Sequence, residues 1–168
     1  VVTITGERMR GGGENLVSVN VAGVDAVLVS ENNTHVVFVA PHGPPAVGDI
    51  VMTSENGART VSDGGWVQLE EGNVTSTSLD KGQFGTRITI RGERLRGGSD
   101  EIVRVTLANV SVHEILFEND TMLVIVADES TPNQGHIDIY GSTGARVRGK
   151  NGFAFLDPGV IDSVFPAS

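Results

Sequence analysis

The chain has 168 residues, of which 39% are hydrophobic, 20% charged and 5% aromatic, enough for one or two packed domains. A net charge of −9 argues against nucleic-acid binding, which needs a basic footprint, and no stretch reaches the length of apolar residues that a membrane helix requires. With no cysteine, disulfides, thiolate metal sites and a cysteine nucleophile are excluded together.

The chain opens Val1-Val2 without methionine or a signal-like segment, which suggests a processed product or part of a longer protein. Alternation of apolar and polar residues comes next: Val17, Val19 and Val21 around Ser18 and Asn20 predict a strand with one buried face. Short apolar runs follow at residues 27–29, 36–39, 50–52 and 66–69, separated by turn clusters such as Pro41-His42-Gly43-Pro44-Pro45 and Glu55-Asn56-Gly57. Residues 72–86 predict another strand around Val74, Ser76 and Leu79. The alternation then returns in Val103, Val105 and Leu107, with further runs at 115–117, 122–126, 137–140 and 153–156. No window carries a helical stripe.

The second half repeats the first. Gly6-Glu7-Arg8-Met9-Arg10-Gly11-Gly12 returns as Gly92-Glu93-Arg94-Leu95-Arg96-Gly97-Gly98, 86 residues on. Asn32-Asn33-Thr34 returns as Asn119-Asp120-Thr121 and Gly57-Ala58-Arg59 as Gly144-Ala145-Arg146, both at 87, so one residue is inserted in the second copy opposite residues 23–30. Gly65-Trp66 pairs with Gly152-Phe153. About seven short strands per copy fit an immunoglobulin-type sandwich. Val19, Val105, Trp66 and Phe153 are the expected core positions.

Each copy resembles the IPT/TIG domain family. The resemblance rests on an opening Thr3-Ile4-Thr5-Gly6 or Thr89-Ile90-Arg91-Gly92, and on a Val-x-Val strand ending at Ala22-Gly23 or Ala108-Asn109. An apolar strand then exits at Ala40-Pro41, where the second copy departs with Ala127-Asp128, and Gly-aromatic pairs close each copy. The resemblance implies an all-β chain of two tandem immunoglobulin-like sandwiches, and binding or scaffold work without catalysis. It divides into DNA-binding factors and extracellular modules. Both halves are acidic, which favours the extracellular branch.

The copies are cut unequally. Val1 aligns with Arg87, so the first copy lacks the strand that residues 72–86 supply to the second. Residues 158–166 align at 87 with residues 71–79 and look like that missing strand. The expected organisation is a first sandwich at 1–70, a second at 71–157, and a strand at 158–168 that completes a neighbouring module. Val160, Ile161, Val164 and Phe165 are its apolar side chains. The neighbour is either the next repeat of the same chain or a separate protomer. Both give a head-to-tail arrangement that does not close.

Four Asn-x-Ser/Thr acceptors occur, at Asn32, Asn73, Asn109 and Asn119. Asn32 and Asn119 occupy equivalent polar turns, Asn73 sits beside Glu70-Glu71-Gly72, and Asn109 aligns with Gly23, where a turn requirement competes with glycosylation. His35, His42, His113 and His136 show no metal spacing, and neither a nucleophile motif nor a phosphate loop is present. Carboxylates at Glu70, Glu71, Asp157, Asp25, Asp128 and Glu129 form no Asp-x-Asp run. Arg8, Arg10, Arg94 and Arg96 beside Glu7 and Glu93 predict local ion pairs. The sequence therefore reads as a non-enzymatic extracellular or cell-surface structural glycoprotein without cofactor, a repeat unit of an array or filament whose partners are copies of itself. The alternative is a ligand-binding or adhesion module of a receptor-like ectodomain.

Overall fold

The structure, a computed structural model, describes residues 1–163, the side chains of residues 150 and 151 excepted. Among the described residues every regular element is a strand. The chain divides into two compact units, Val1–Glu70 and Glu71–Ser168.

Unit 1 contains β1 (Val2–Thr5), β2 (Leu16–Val21), β3 (Val24–Glu31), β4 (His35–Val39), β5 (Ala46–Ser54) and β6 (Arg59–Gln68). They form one antiparallel sheet in the order β1-β4-β3-β2-β5-β6. The long strand β3 serves both halves: residues 24–26 pair with β2 and residues 27–31 with β4. The sheet encloses Leu16, Val19, Val21, Val36, Phe38, Ile50 and Met52, with Met9 inserted from the loop after β1. Trp66 is half-buried, a correction to its expected place in the core. Its ring lies 6.3 Å from Phe38, and its Nε1 donates to Gln68 Oε1 at 3.1 Å, so the indole keeps its polar edge near the surface.

Unit 2 contains β7 (Asn73–Thr77), β8 (Lys81–Gly82), β9 (Arg87–Glu93), β10 (Ile102–Leu107), β11 (Val110–Ser111), β12 (Glu114–Glu118), β13 (Met122–Val126), β14 (Asn133–Gly141) and β15 (Arg146–Phe155). Here the two layers are separate sheets, β11-β10-β14-β15-β8 and β12-β13-β9-β7. The residue inserted in the second half falls where β11 gives way to β12, and it splits the strand that runs unbroken as β3 in unit 1. Ile88, Ile90, Leu95, Val105, Leu107, Leu123, Ile125, Ile137, Ile139, Phe153 and Phe155 fill the space between the layers.

The expected alternation of β2 and β10 is corrected in one respect. Val17 and Val103 are exposed, whereas Leu16 and Ile102 are buried. A bulge between Leu16 and Ser18, and another between Ile102 and Arg104, turns one residue of each strand outward before the alternation resumes at Val19 and Val105. Both strands end in two-residue hairpins whose central residues have positive φ, Ala22 (48°) with Gly23 (88°) and Ala108 (49°) with Asn109 (67°). Asn109 therefore occupies its turn for a conformational reason as well as lying within an acceptor sequence.

Candidate functional site

The turns that carry Asn32 and Asn119 are built alike. Asn32 Oδ1 accepts hydrogen bonds from the Thr34 amide (2.8 Å), the Thr34 hydroxyl (2.9 Å) and the His35 amide (2.8 Å). Asn119 Oδ1 accepts from the Thr121 amide (2.8 Å), its hydroxyl (3.1 Å) and the Met122 amide (2.7 Å). In each turn the amide oxygen closes an Asx turn, and the Thr of the acceptor sequence is fixed beside it. The nitrogen that would take a glycan is not the atom that holds the turn. Asn32 is exposed and Asn119 half-exposed; Asn73, on β7, and Asn109 are exposed.

A loop braces each of these turns. Gly6 and Met9 donate their backbone N–H groups to the carbonyls of Thr34 and Asn33, and Gly92 and Leu95 do the same to Thr121 and Asp120. Arg8 and Arg94 adopt positive φ (54° and 51°), which turns the loop so that Met9 and Leu95 enter the core. The ion pairs differ from those expected between sequence neighbours. Arg10 grips Glu31 through two contacts (Nε 2.7 Å, Nη2 3.0 Å), and Arg96 grips Glu118 (both 2.8 Å). Arg94 and Glu93, 3.7 Å apart, do pair within the motif. Glu31 and Glu118 are held below the usual carboxylate range, first by hydrogen bonding to their arginines and against the opposing effect of burial. The Gly-Glu-Arg-x-Arg-Gly-Gly motif is thus a clamp across the sandwich.

The sheet edges differ between the units. In unit 2, β7 pairs with β9 and β8 pairs in parallel with β15. In unit 1, β1 and β6 close the ends of the sheet, each with a neighbour on one side. Residues 156–163 form no strand, and Val160 and Ile161 are each 82% exposed. Val164 and Phe165 lie outside the described residues. Among the described residues no group of three histidine or acidic side chains is placed to hold a metal. His113 lies 3.7 Å from Asp128 and edge-on to Phe84.

Residues 73–155 match the IPT/TIG domain family, so a domain of that family occupies unit 2. No curated protein matches the chain. Among solved structures, the full extracellular region of plexin A4 matches with 13% identity and a TM-score of 0.53, covering 91% of this chain and 14% of plexin A4. The surface glycan-binding protein PbSGBP-B from Prevotella bryantii (15% identity, 92% and 36% covered, TM-score 0.42) is also similar. So is SGBP-B of the mixed-linkage glucan utilization locus of Bacteroides ovatus, solved with a mixed-linkage heptasaccharide (14% identity, 91% and 40% covered, TM-score 0.40). The chain spans well under half the length of each of these three proteins. At 13% identity the likeness to plexin A4 is one of fold alone.

Proposed function

We propose that the chain is a non-catalytic extracellular or cell-surface structural glycoprotein made of two copies of one IPT/TIG-type module, at 1–70 and 71–157, assembled head to tail through residues 158–168. The repeat reading is supported by equivalent details in the two units: the arginine clamps, the Asx turns, the positive-φ hairpins and the bulges all recur at spacings of 86 or 87. N-linked glycans at Asn32 and Asn119, with Asn73 and Asn109 as further acceptors, would project from exposed or half-exposed positions without disturbing the hydrogen bonds that hold the turns.

One observation carries the assembly. A Cβ on Gly92 would collide with the backbone carbonyl of Asn73 on β7, so glycine is required there because a strand lies alongside. At Gly6, its counterpart, the nearest atoms are the Met9 side chain at 3.5 Å, an ordinary contact. Gly72, which leads into β7, is likewise hemmed in by the Arg94 carbonyl and Val147, while Gly159 meets nothing within 4 Å. Two glycines are obligatory in unit 2, whereas a Cβ at Gly6 would make only ordinary contacts and one at Gly159 would meet nothing. Laying residues 159–163 along β1 of a neighbouring first unit uses both. It puts Ile161 where Val74 is buried, and full burial of a side chain of that size is worth about 1.5–3 kcal/mol. It also covers an exposed sheet edge.

The test is sedimentation of the full chain over a wide concentration range, with electron microscopy of the concentrated sample. Linear oligomers that Ile161→Asp abolishes support the reading, and a full-length chain that stays monomeric at high concentration overturns it. The alternative is a ligand-binding or adhesion module of a receptor-like ectodomain.

A further inference from the structure

On the outer face of the β10-β14-β15 sheet, two rows of side chains cross three strands. Arg104, Tyr140 and Arg146 stand in register in one row, and Thr106, Asp138 and Arg148 in the next. Their neighbours Val105, Ile139 and Val147 point into the core, which fixes the two rows on the opposite face. Asp138 is almost fully buried, with 3% of its side chain exposed. Its Oδ1 accepts from Arg146 Nε at 3.0 Å and Arg148 Nε at 2.8 Å, and its Oδ2 from Arg148 Nη2 at 3.2 Å. Both arginines remain nearly half exposed. The Arg104 guanidinium lies 3.9 Å from the centroid of the Tyr140 ring.

One arginine would neutralise Asp138. Three leave a surplus of two positive charges on a chain whose net charge is −9. The fold does not demand this arrangement, because the same registered positions in unit 1 are Ser18-Thr53-Arg59 and Asn20-Val51-Val61. Burying a carboxylate is costly unless it is well paired. Here it fixes the forks of two guanidiniums in place, which lowers the ordering cost of binding an oxyanion. A second observation points the same way. The Thr106 hydroxyl, buried beside Asp138 in the register, has no hydrogen-bond partner among the described residues. An unmet buried hydroxyl of this kind destabilises the free protein.

We propose that this face binds an acidic polysaccharide through its carboxylate or sulfate groups, with Arg104, Arg146 and Arg148 as the oxyanion donors and Thr106 meeting a ligand oxygen. The face is polar apart from the exposed Val103, and its aromatic ring is already covered by Arg104, so it lacks the free aromatic anchor on which protein partners mainly rely. The lone surplus of two charges suits a chain whose anions are spaced by neutral sugar better than it suits a dense polyanion, which the net charge of the protein repels. The face lies wholly within unit 2 and involves neither β1 nor residues 158–168, so it stands or falls independently of the assembly.

The test is calorimetric titration of the full chain, at low and at physiological salt, with a hyaluronan oligosaccharide (a carboxylate on every second sugar), a kappa-carrageenan oligosaccharide (a sulfate on every second sugar), a neutral oligosaccharide and polyglutamate. One or both acidic sugars are expected to bind, more weakly as salt rises. Whichever of the two binds the more tightly identifies the preferred oxyanion. Arg104→Gln, which leaves the Asp138 pairs intact, should weaken binding at least tenfold, and Arg59→Gln in unit 1 should not change it. Thr106→Val should weaken binding while raising the melting temperature of the free protein. Absence of binding at low salt, equal binding by Arg104→Gln, or polyglutamate binding as tightly as the sugars would overturn the proposal.

Discussion

Gly92→Ala and Gly6→Ala place the same methyl group at equivalent positions, and the structure assigns them opposite outcomes. At Gly92 the new Cβ meets the Asn73 carbonyl, a backbone atom that moves only if β7 moves. Displacing β7 exposes Val74, at about 1.5–3 kcal/mol for its burial, and disturbs backbone hydrogen bonds worth about 1 kcal/mol each. A net loss of about 2–4 kcal/mol in a unit of under 100 residues lowers its melting temperature by roughly 10–20 °C. At Gly6 the Cβ has room, and φ is not in the left-handed region. Restricting the unfolded chain should then stabilise unit 1 by about 0.4–1 kcal/mol. Scanning calorimetry at concentrations where the chain is monomeric reads both shifts, and hydrogen exchange over residues 73–77 locates the damage in Gly92→Ala. The same Gly6→Ala variant should fail to form linear oligomers when concentrated, because its methyl occupies the space into which a docked carbonyl would come. A Gly92→Ala variant that melts like the parent, or a Gly6→Ala variant that loses as much stability, would refute the reasoning.

Replacing Val105 by Asp places an unpaired charge at a position 1% exposed, which should cost several kcal/mol and melt unit 2 well below the parent by circular dichroism. Glu118 titrates below its unfolded value, so its contribution is fully present above the ordinary carboxylate range and is lost as the pH falls through that range towards the folded value. Glu118→Gln should therefore lower the melting temperature at pH 7, with the gap to the parent closing as the pH falls below the ordinary carboxylate range. Intact-mass analysis of native material before and after glycosidase treatment should show sugar at both Asn32 and Asn119; an unmodified mass contradicts the glycoprotein reading. Asn119→Asp, which keeps the acceptor oxygen, should melt like the unglycosylated parent, whereas Asn119→Ala should melt lower.

Much of this arrangement is legible from residue order because its causes are local. Alternation around Val19 and Val105 marks the core strands, and Ala-Gly or Ala-Asn between apolar runs marks the hairpins. The bulges at Val17 and Val103 are not legible, since a valine in an alternating run carries no sign that the pleat slips there. The partners of Arg10 and Arg96 are not legible for a related reason. Arg10 reaches Glu31 and Arg96 reaches Glu118 only because the left-handed turn at Arg8 or Arg94 swings the loop across the sandwich. The two-residue strand β8 was invisible, because its pairing depends on a parallel neighbour far away in sequence. The arginine face escaped for the same reason: Arg104, Arg146 and Arg148 are scattered in sequence and meet only through strand register. Their one available sign was Arg146 and Arg148 two apart on a strand with Asp138 eight residues earlier.

The assembly makes a claim about register that disulfide trapping tests directly. Ser76 pairs with Arg91 where β7 lies on β9, and the counterparts of these residues are Ser163 and Thr5. The chain has no cysteine, so Thr5→Cys with Ser163→Cys introduces one defined pair, and a strand docked in this register brings their Cα atoms to within about 4.4–6.8 Å. Mild oxidation of the concentrated double variant should give a ladder of covalent dimers, trimers and longer species on a non-reducing gel, while Thr5→Cys with Asp162→Cys should give far less. A double variant that remains a covalent monomer under conditions that oxidise its thiols, or one that cross-links equally well in the shifted register, would contradict the account.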